Sequence, residues 1–218
     1  MSFAKNKAEK KGAYKVIARS RYIIILGPDG SGKTTLADKL AEKLKIEGQT
    51  ATRKNFSFGI MPPISRLLGR DKSKQFLEGQ RDSGMVTPLP SIIASLLASW
   101  YGIDHLLGHW RLRHGQTHEI VIFARSYHDF LYQRAYLNLP VAIPWLFLAL
   151  GPKPDLLITP LRDPQAINKQ KPELTTTEIT SQYERILKRL SDYPTFAGID
   201  ASKGIDSTVI QLYEKTIL

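Results

Sequence analysis

Gly27, Gly32, Lys33 and Thr34 stand in the spacing Gly-x-x-x-x-Gly-Lys-Thr within "GPDGSGKTT", residues 27–35. The chemistry that this spacing can do is to hold phosphate. Backbone N–H groups of a glycine-rich turn converge on one point, and a helix starting there adds the positive end of its dipole. Gly30 and Gly32 let the backbone approach an anion with no Cβ in the way. Lys33 is then expected to reach the β and γ phosphates of a nucleotide, and the Thr34 hydroxyl to bind Mg2+. Asp29, Ser31 and Thr35 complete the expected nucleotide-binding set of Gly27, Gly30, Gly32, Lys33 and Thr34. An ordinary glycine-rich strand-to-helix turn is the other reading of the same residues.

Two elements must flank such a turn, and the sequence supplies both. Residues 22–26 form an apolar run rich in β-branched side chains, as a buried parallel strand requires. After Thr34 the apolar residues Leu36, Ala37, Leu40, Ala41 and Leu44 recur at helical spacing. Runs at 120–123, 156–158 and 196–199 read as further buried strands, and 50–56 is a candidate early strand. Strands alternating with helical segments indicate a parallel sheet with helices on both faces. Ligands bind such sheets beyond the carboxyl ends of the strands, so the residues just past each strand matter most.

Arg125 stands two residues past the run that ends at Phe123. A guanidinium there can fork onto two phosphate oxygens and hold donor and acceptor together; the alternative is a surface arginine paired with Asp129. Past the run at 156–158 lie Arg162, Lys169 and Lys171, ahead of a helix announced by the capping box of Thr175 and Glu178. That helix carries the stripe Ile179, Tyr183, Ile186, Leu187 and Leu190. The segment 162–174 is thus a candidate basic lid, which would neutralise developing charge and exclude water. A solvated basic surface is the alternative for each lysine. His105 and His109 lie four apart, as two zinc ligands on one helix face would, but no third ligand is evident and core or surface histidines are the simpler reading. Helix 91–113 is expected to pack in the core, with Asp104 a candidate for lining an acceptor pocket.

At 218 residues the chain suits one α/β domain with a full core, with or without a helical insert, and shows no internal repeat. The absence of cysteine excludes disulfides and thiolate metal sites. Neither a secretory leader nor a transmembrane segment is expected, since the apolar stretch 92–110 holds Asp104 and 142–150 is too short to span. A cytoplasmic location follows as an expectation. Net charge is +11, and seven basic residues against Glu9 alone place +6 of it in residues 1–21. Residues 1–20 read as a basic tail, solvated or in contact with an anionic surface such as nucleic acid or acidic lipid.

"GPDGSGKTT", "VIFARSYHDFLYQRAY" and "KPDLLITPLRDPQAINKQKPEL" together resemble the thymidylate kinase family of P-loop nucleoside monophosphate kinases, and most of all its divergent thymidylate kinase-like branch. The resemblance covers residues 22–218. It implies a P-loop NTPase-type three-layer sandwich with a five-stranded parallel sheet, ATP and Mg2+ as donor and metal, and a lid that closes over them. It implies that Asp29 faces the acceptor sugar and that the loop containing Ser202 lies beside the adenine. Because Gly30 and Ser31 replace a loop arginine, it adds weight to Lys169 and Lys171 as catalytic cations beside Lys33 and Arg125. Two departures stand out: Ala124 replaces the usual aspartate before Arg125, and "NFSFGIMPPISRLLGR" has no arginine where relatives grip the acceptor monophosphate. The expected activity is ATP-dependent phosphoryl transfer to a small acceptor, such as thymidylate. A sugar or lipid-linked acceptor, or a nucleotide-binding regulatory protein with little turnover, are the alternatives. The oligomeric state is open, with a homodimer among the possibilities.

Overall fold

The computed structural model describes residues 21–64, 87–114, 119–151 and 153–217; the basic tail of residues 1–20 lies outside the described residues. Strands β1 (Arg21–Ile25), β2 (Thr50–Lys54), β3 (Glu119–Phe123), β4 (Leu156–Leu161) and β5 (Phe196–Asp200) pair in parallel in the order β2-β3-β1-β4-β5. Between them run helices α1 (Lys33–Ile46), α2 (Ser91–His114), α3 (Ala142–Leu150), α4 (Pro164–Gln170) and α5 (Thr176–Leu190), and α6 (Ile205–Ile217) follows β5. Two short 3-10 helices, Tyr127–Leu131 and Arg134–Tyr136, follow β3.

β1 lies at the centre of the sheet, and its alternating side chains define two cores. Tyr22, Ile24 and Leu26 pack with Ala94 and Ala98 of α2, Leu148 of α3 and Ile186 and Leu190 of α5. Ile23 and Ile25 pack on the opposite face with Leu36, Leu40 and Leu44 of α1 and Val209 and Leu212 of α6. Since side chains of a strand alternate faces, an unbroken apolar run is what a strand covered on both sides needs. The result is the three-layer helix–sheet–helix arrangement expected from the sequence, with five parallel strands and a P-loop NTPase-like layout.

Boundaries differ from expectation where local chemistry intervenes. β2 stops at Lys54 rather than 56, because the backbone turns at Phe56 with φ 41°. β4 continues past residue 158 through Pro160, which has no N–H to donate. β1 pairs with β4 only as far as Ile158, and Pro160 faces that vacated side. Its carbonyl there accepts the Tyr183 hydroxyl at 2.9 Å, so the missing donor leaves no ladder bond broken. Residues 164–170 also form a helix that the periodicity did not show. Asp163 caps it by accepting Ala166 N–H at 3.0 Å, and Pro164 fills the first turn. Among the described residues, no helix is long and apolar enough to cross a membrane.

Candidate phosphate-binding site

The turn after β1 delivers the chain to α1 at the carboxyl edge of the sheet. Gly32 occupies the N-cap, no side chain caps the helix, and its first turn holds no acidic residue. The first-turn N–H groups are therefore left without a protein carboxylate, the arrangement that takes an anion. The Ser31 hydroxyl is 1% exposed and has no protein hydrogen-bond partner. Ser31 and Gly27, both expected in the nucleotide-binding set, do not line the cleft described below.

The cations are held by the loop itself and by Asp29. Lys33 Nζ donates to the carbonyls of Gly27 and Pro28, both at 2.7 Å, and lies 3.4 Å from Asp29 Oδ1. Arg125 Nη2 reaches the same Asp29 oxygen at 2.5 Å. The arginine past β3 thus pairs with Asp29 on the loop, across 96 residues of sequence, and not with the nearby Asp129 suggested by spacing. Burial pushes the Asp29 carboxyl up, but Lys33 and Arg125 outweigh it and hold it below the ordinary carboxylate value. Burial lowers the Lys33 ammonium against the pull of Asp29. Burial also opposes the Arg125 charge, yet Asp29 and, after it, Asp129 together outweigh burial and raise the guanidinium.

These groups surround a cleft of about 280 Å³. Asp29, Lys33, Thr34, Thr35 and Arg125 line it from the sheet side, and Gln170 and Lys171 line it from the end of α4. Thr34 lines the cleft with an exposed side chain. Arg162, Lys169 and Ser202 do not line the cleft. Arg162 donates to Gln170 Oε1 at 3.0 Å, Lys169 is exposed on α4, and Ser202 N–H bonds Asp200 in the turn after β5. The end of α4 supplies Lys171 to the cleft, and the helical twist turns Lys169 elsewhere.

α4 rests directly on the phosphate loop. A Cβ placed on Gly30 would come within 3.1 Å of Ile167 Cγ2 and 3.3 Å of Lys171 Cβ, and Gly30 has φ 88°. Gly30→Ala thus meets both a crowded neighbour and a backbone conformation that costs a non-glycine residue about 1–2 kcal/mol. The expected result is a folded state destabilised by that amount, measured by urea denaturation; an unchanged midpoint contradicts the close loop–lid packing.

Other expected residues have structural duties. Asp104 accepts the backbone N–H groups of Phe58, Ile60 and Met61 at 2.7, 2.8 and 2.8 Å, so its carboxylate pins the loop after β2 instead of facing a substrate. Ala124 is fully buried against the α1 core. His105 and His109 stack among Tyr22, Phe58 and Tyr127 in the aromatic core.

The site includes a pair that sequence reasoning missed. Asp129 is fully buried, its two oxygens accepting the Tyr132 hydroxyl and Gln133 Nε2, both at 2.8 Å, and Gly27 N–H donates to that same Tyr132 hydroxyl at 3.4 Å. A buried carboxylate four residues after Arg125 was the available signal, but spacing pointed it at the wrong partner.

No protein-family model matches the chain, and no curated protein matches it. Function must therefore be argued from the cleft itself.

Buried ionisable groups make the fold acid-sensitive. Burial pushes His105 down to about 4 from 6.5, and burial, then His105, push His128 down to about 3. Unfolded imidazoles protonate near 6.5 and these two do so only far lower, so the stability they carry is complete above 6.5 and falls as pH drops towards 4. Each contributes a slope of up to about 1.4 kcal/mol per pH unit. Asp129 acts oppositely: burial raises it to about 6 from 3.8, so the folded chain regains stability as pH falls below 6. Two imidazoles against one carboxyl leave a net loss. The urea midpoint is expected to be lower at pH 5 than at pH 7, and an equal or higher midpoint contradicts this balance.

Proposed function

We propose that the chain is an ATP-dependent phosphotransferase, in its simplest form a nucleoside monophosphate kinase of the thymidylate kinase type. The observation that carries this reading is the convergence, in one cleft at the carboxyl edge of a parallel sheet, of an uncapped helix N-terminus, Lys33, Thr34 and Arg125. Uncapped N–H groups and Lys33 would hold the donor phosphates. Thr34 would bind the Mg2+ that offsets their charge, and no group of three or more His, Cys, Asp or Glu able to hold a metal stands among the described residues. Such a metal would lean on Thr34 and the phosphates themselves.

Phosphoryl transfer asks little covalent chemistry of a protein; it asks for alignment and charge neutralisation. The ion pairs of Asp29 with Arg125 and Lys33 offset part of the positive charge of the cleft and leave it net cationic. An incoming triphosphate would take over both cations and release Asp29 towards the acceptor. Arg125 would then bridge donor and acceptor, with Lys171 adding charge from the lid. A cytoplasmic location would suit ATP as donor.

One observation favours a second acceptor class, a sugar or lipid-linked group. The described residues after β2, 55–64, carry no basic side chain, and Asp104 holds their backbone in place. That strip offers no cation to grip a monophosphate. The experiment is incubation with γ-labelled ATP and Mg2+ against thymidylate, other nucleoside monophosphates, sugars and lipid-linked sugars. Transfer to any of them supports the kinase reading and names the acceptor, whereas binding without transfer to any supports a regulatory protein.

A homodimer fits the outer face of α2. Ile92, Leu96, Ile103, Leu107 and Trp110 are exposed along one stripe of this helix. A two-fold axis near its middle pairs Ile92 with Trp110 and Leu96 with Leu107, which is the self-complementarity an isologous interface requires. Light scattering is expected to give twice the chain mass, falling to one chain mass for Leu107→Glu. A monomeric wild-type chain at tens of micromolar counts against the dimer.

A further inference from the structure

Gly27, the first residue of the phosphate loop, has φ 148° and is held from beneath by groups that do not line the cleft. Its N–H donates to Tyr132 Oη at 3.4 Å, and its carbonyl lies 3.2 Å from the same oxygen and 2.7 Å from Lys33 Nζ. A phenol has one hydrogen to donate. Asp129 Oδ1 lies 2.8 Å from Tyr132 Oη, and a bond to a buried carboxylate is the stronger of the two choices. The hydrogen therefore points to Asp129. That leaves a lone pair of Tyr132 for Gly27 N–H and leaves the Gly27 carbonyl to Lys33. Gln133 Nε2 fixes the other Asp129 oxygen at 2.8 Å, and Asp129 and Tyr132 are 0% and 1% exposed, so water does not compete.

We propose that Asp129 and Tyr132 are positioning residues for the phosphate loop, Asp129 orienting the Tyr132 hydroxyl so that Gly27, and through its carbonyl Lys33, is set for nucleotide phosphate. This inference rests on the reading of the cleft as a nucleotide site. Without Asp129 as acceptor, the Tyr132 hydrogen turns to the Gly27 carbonyl and competes with Lys33 for it. Burial raises Asp129 to about 6, against the pull of Lys33 and Arg125, so at neutral pH it is the ionised acceptor the arrangement needs.

The test separates the acceptor from the charge. Titrations of ATP·Mg2+ into the full chain compare wild type, Tyr132→Phe, Asp129→Ala and Asp129→Asn, with circular dichroism and melting checked for each. Tyr132→Phe is expected to bind about tenfold more weakly, while Asp129 keeps its charge. Asp129→Ala and Asp129→Asn lose the same charge, but the asparagine oxygen still accepts from Tyr132; it is expected to restore most of the affinity that alanine loses. The double variant Tyr132→Phe with Asp129→Ala should bind no more weakly than the weaker single variant, since both act through one bond. Should Asp129→Ala not fold, Tyr132→Phe, which removes a single oxygen, decides alone. Wild-type affinity in Tyr132→Phe overturns the inference and leaves the nucleotide site standing. Equal weakening in Asp129→Asn and Asp129→Ala overturns it in favour of charge. No binding by the wild type removes the nucleotide reading and this inference with it.

Discussion

Lys33→Met is expected to remove the thermal stabilisation that ATP·Mg2+ gives the wild-type chain while leaving the chain folded. Lys33 is 5% exposed, its stem lies in the turn, and methionine fills much of that volume without the ammonium. The two loop carbonyls it serves, those of Gly27 and Pro28, lose a donor, which lowers stability modestly. Ligand binding moves the melting temperature further than that loss does. At a hundredfold excess over its dissociation constant, a ligand that binds only the native state adds about 2.7 kcal/mol, or about 5–10 °C in melting temperature for a chain of this size. Differential scanning fluorimetry should show that rise for wild type and almost none for Lys33→Met. Equal rises would assign the ligand to some other surface.

Arg125→Ala is expected to lower turnover about 10²–10³-fold, with a smaller change in donor KM, because a cation aimed at transferring phosphate acts chiefly in the transition state. The structure adds a reason for non-interchangeability. Arg125 is tied to Asp29 at 2.5 Å, so removing it leaves Asp29 to Lys33 alone, and the remaining cation becomes harder for phosphate to claim. Arg125→Lys should recover only part of the loss, since an ammonium does not fork onto two oxygens. Steady-state kinetics with whichever acceptor is phosphorylated decides it; turnover within about twofold of wild type in Arg125→Ala contradicts the role.

The sheet and the phosphate loop were legible in sequence for a specific physical reason. Strands buried on both faces must be apolar throughout, and α1 must repeat Leu36, Leu40 and Leu44 to cover them, so both patterns are strong and local. α4 was not legible, because seven residues with one buried side chain, Ile167, leave almost no periodicity, and its cap Asp163 looked like any acidic residue. The pairing of Arg125 with Asp29 depends on β1 and β3 being neighbours in the sheet, which the order of strands along the chain does not show. Asp129 was placed beside Arg125 by its spacing, yet the 3-10 turn that begins at Tyr127 carries it inward beneath Gly27. Asp104 was visible as an oddity in an apolar helix, but its three backbone partners lie more than forty residues earlier.

Calorimetric titration of ATP·Mg2+ into the wild-type chain tests the central claim, that this cleft holds the phosphates of a nucleotide. One saturable site per chain is predicted, competed by inorganic tripolyphosphate because the loop grips phosphate, and lost in Lys33→Met. Absence of saturable heat with ATP·Mg2+ and with tripolyphosphate, or binding that Lys33→Met leaves intact, would contradict it.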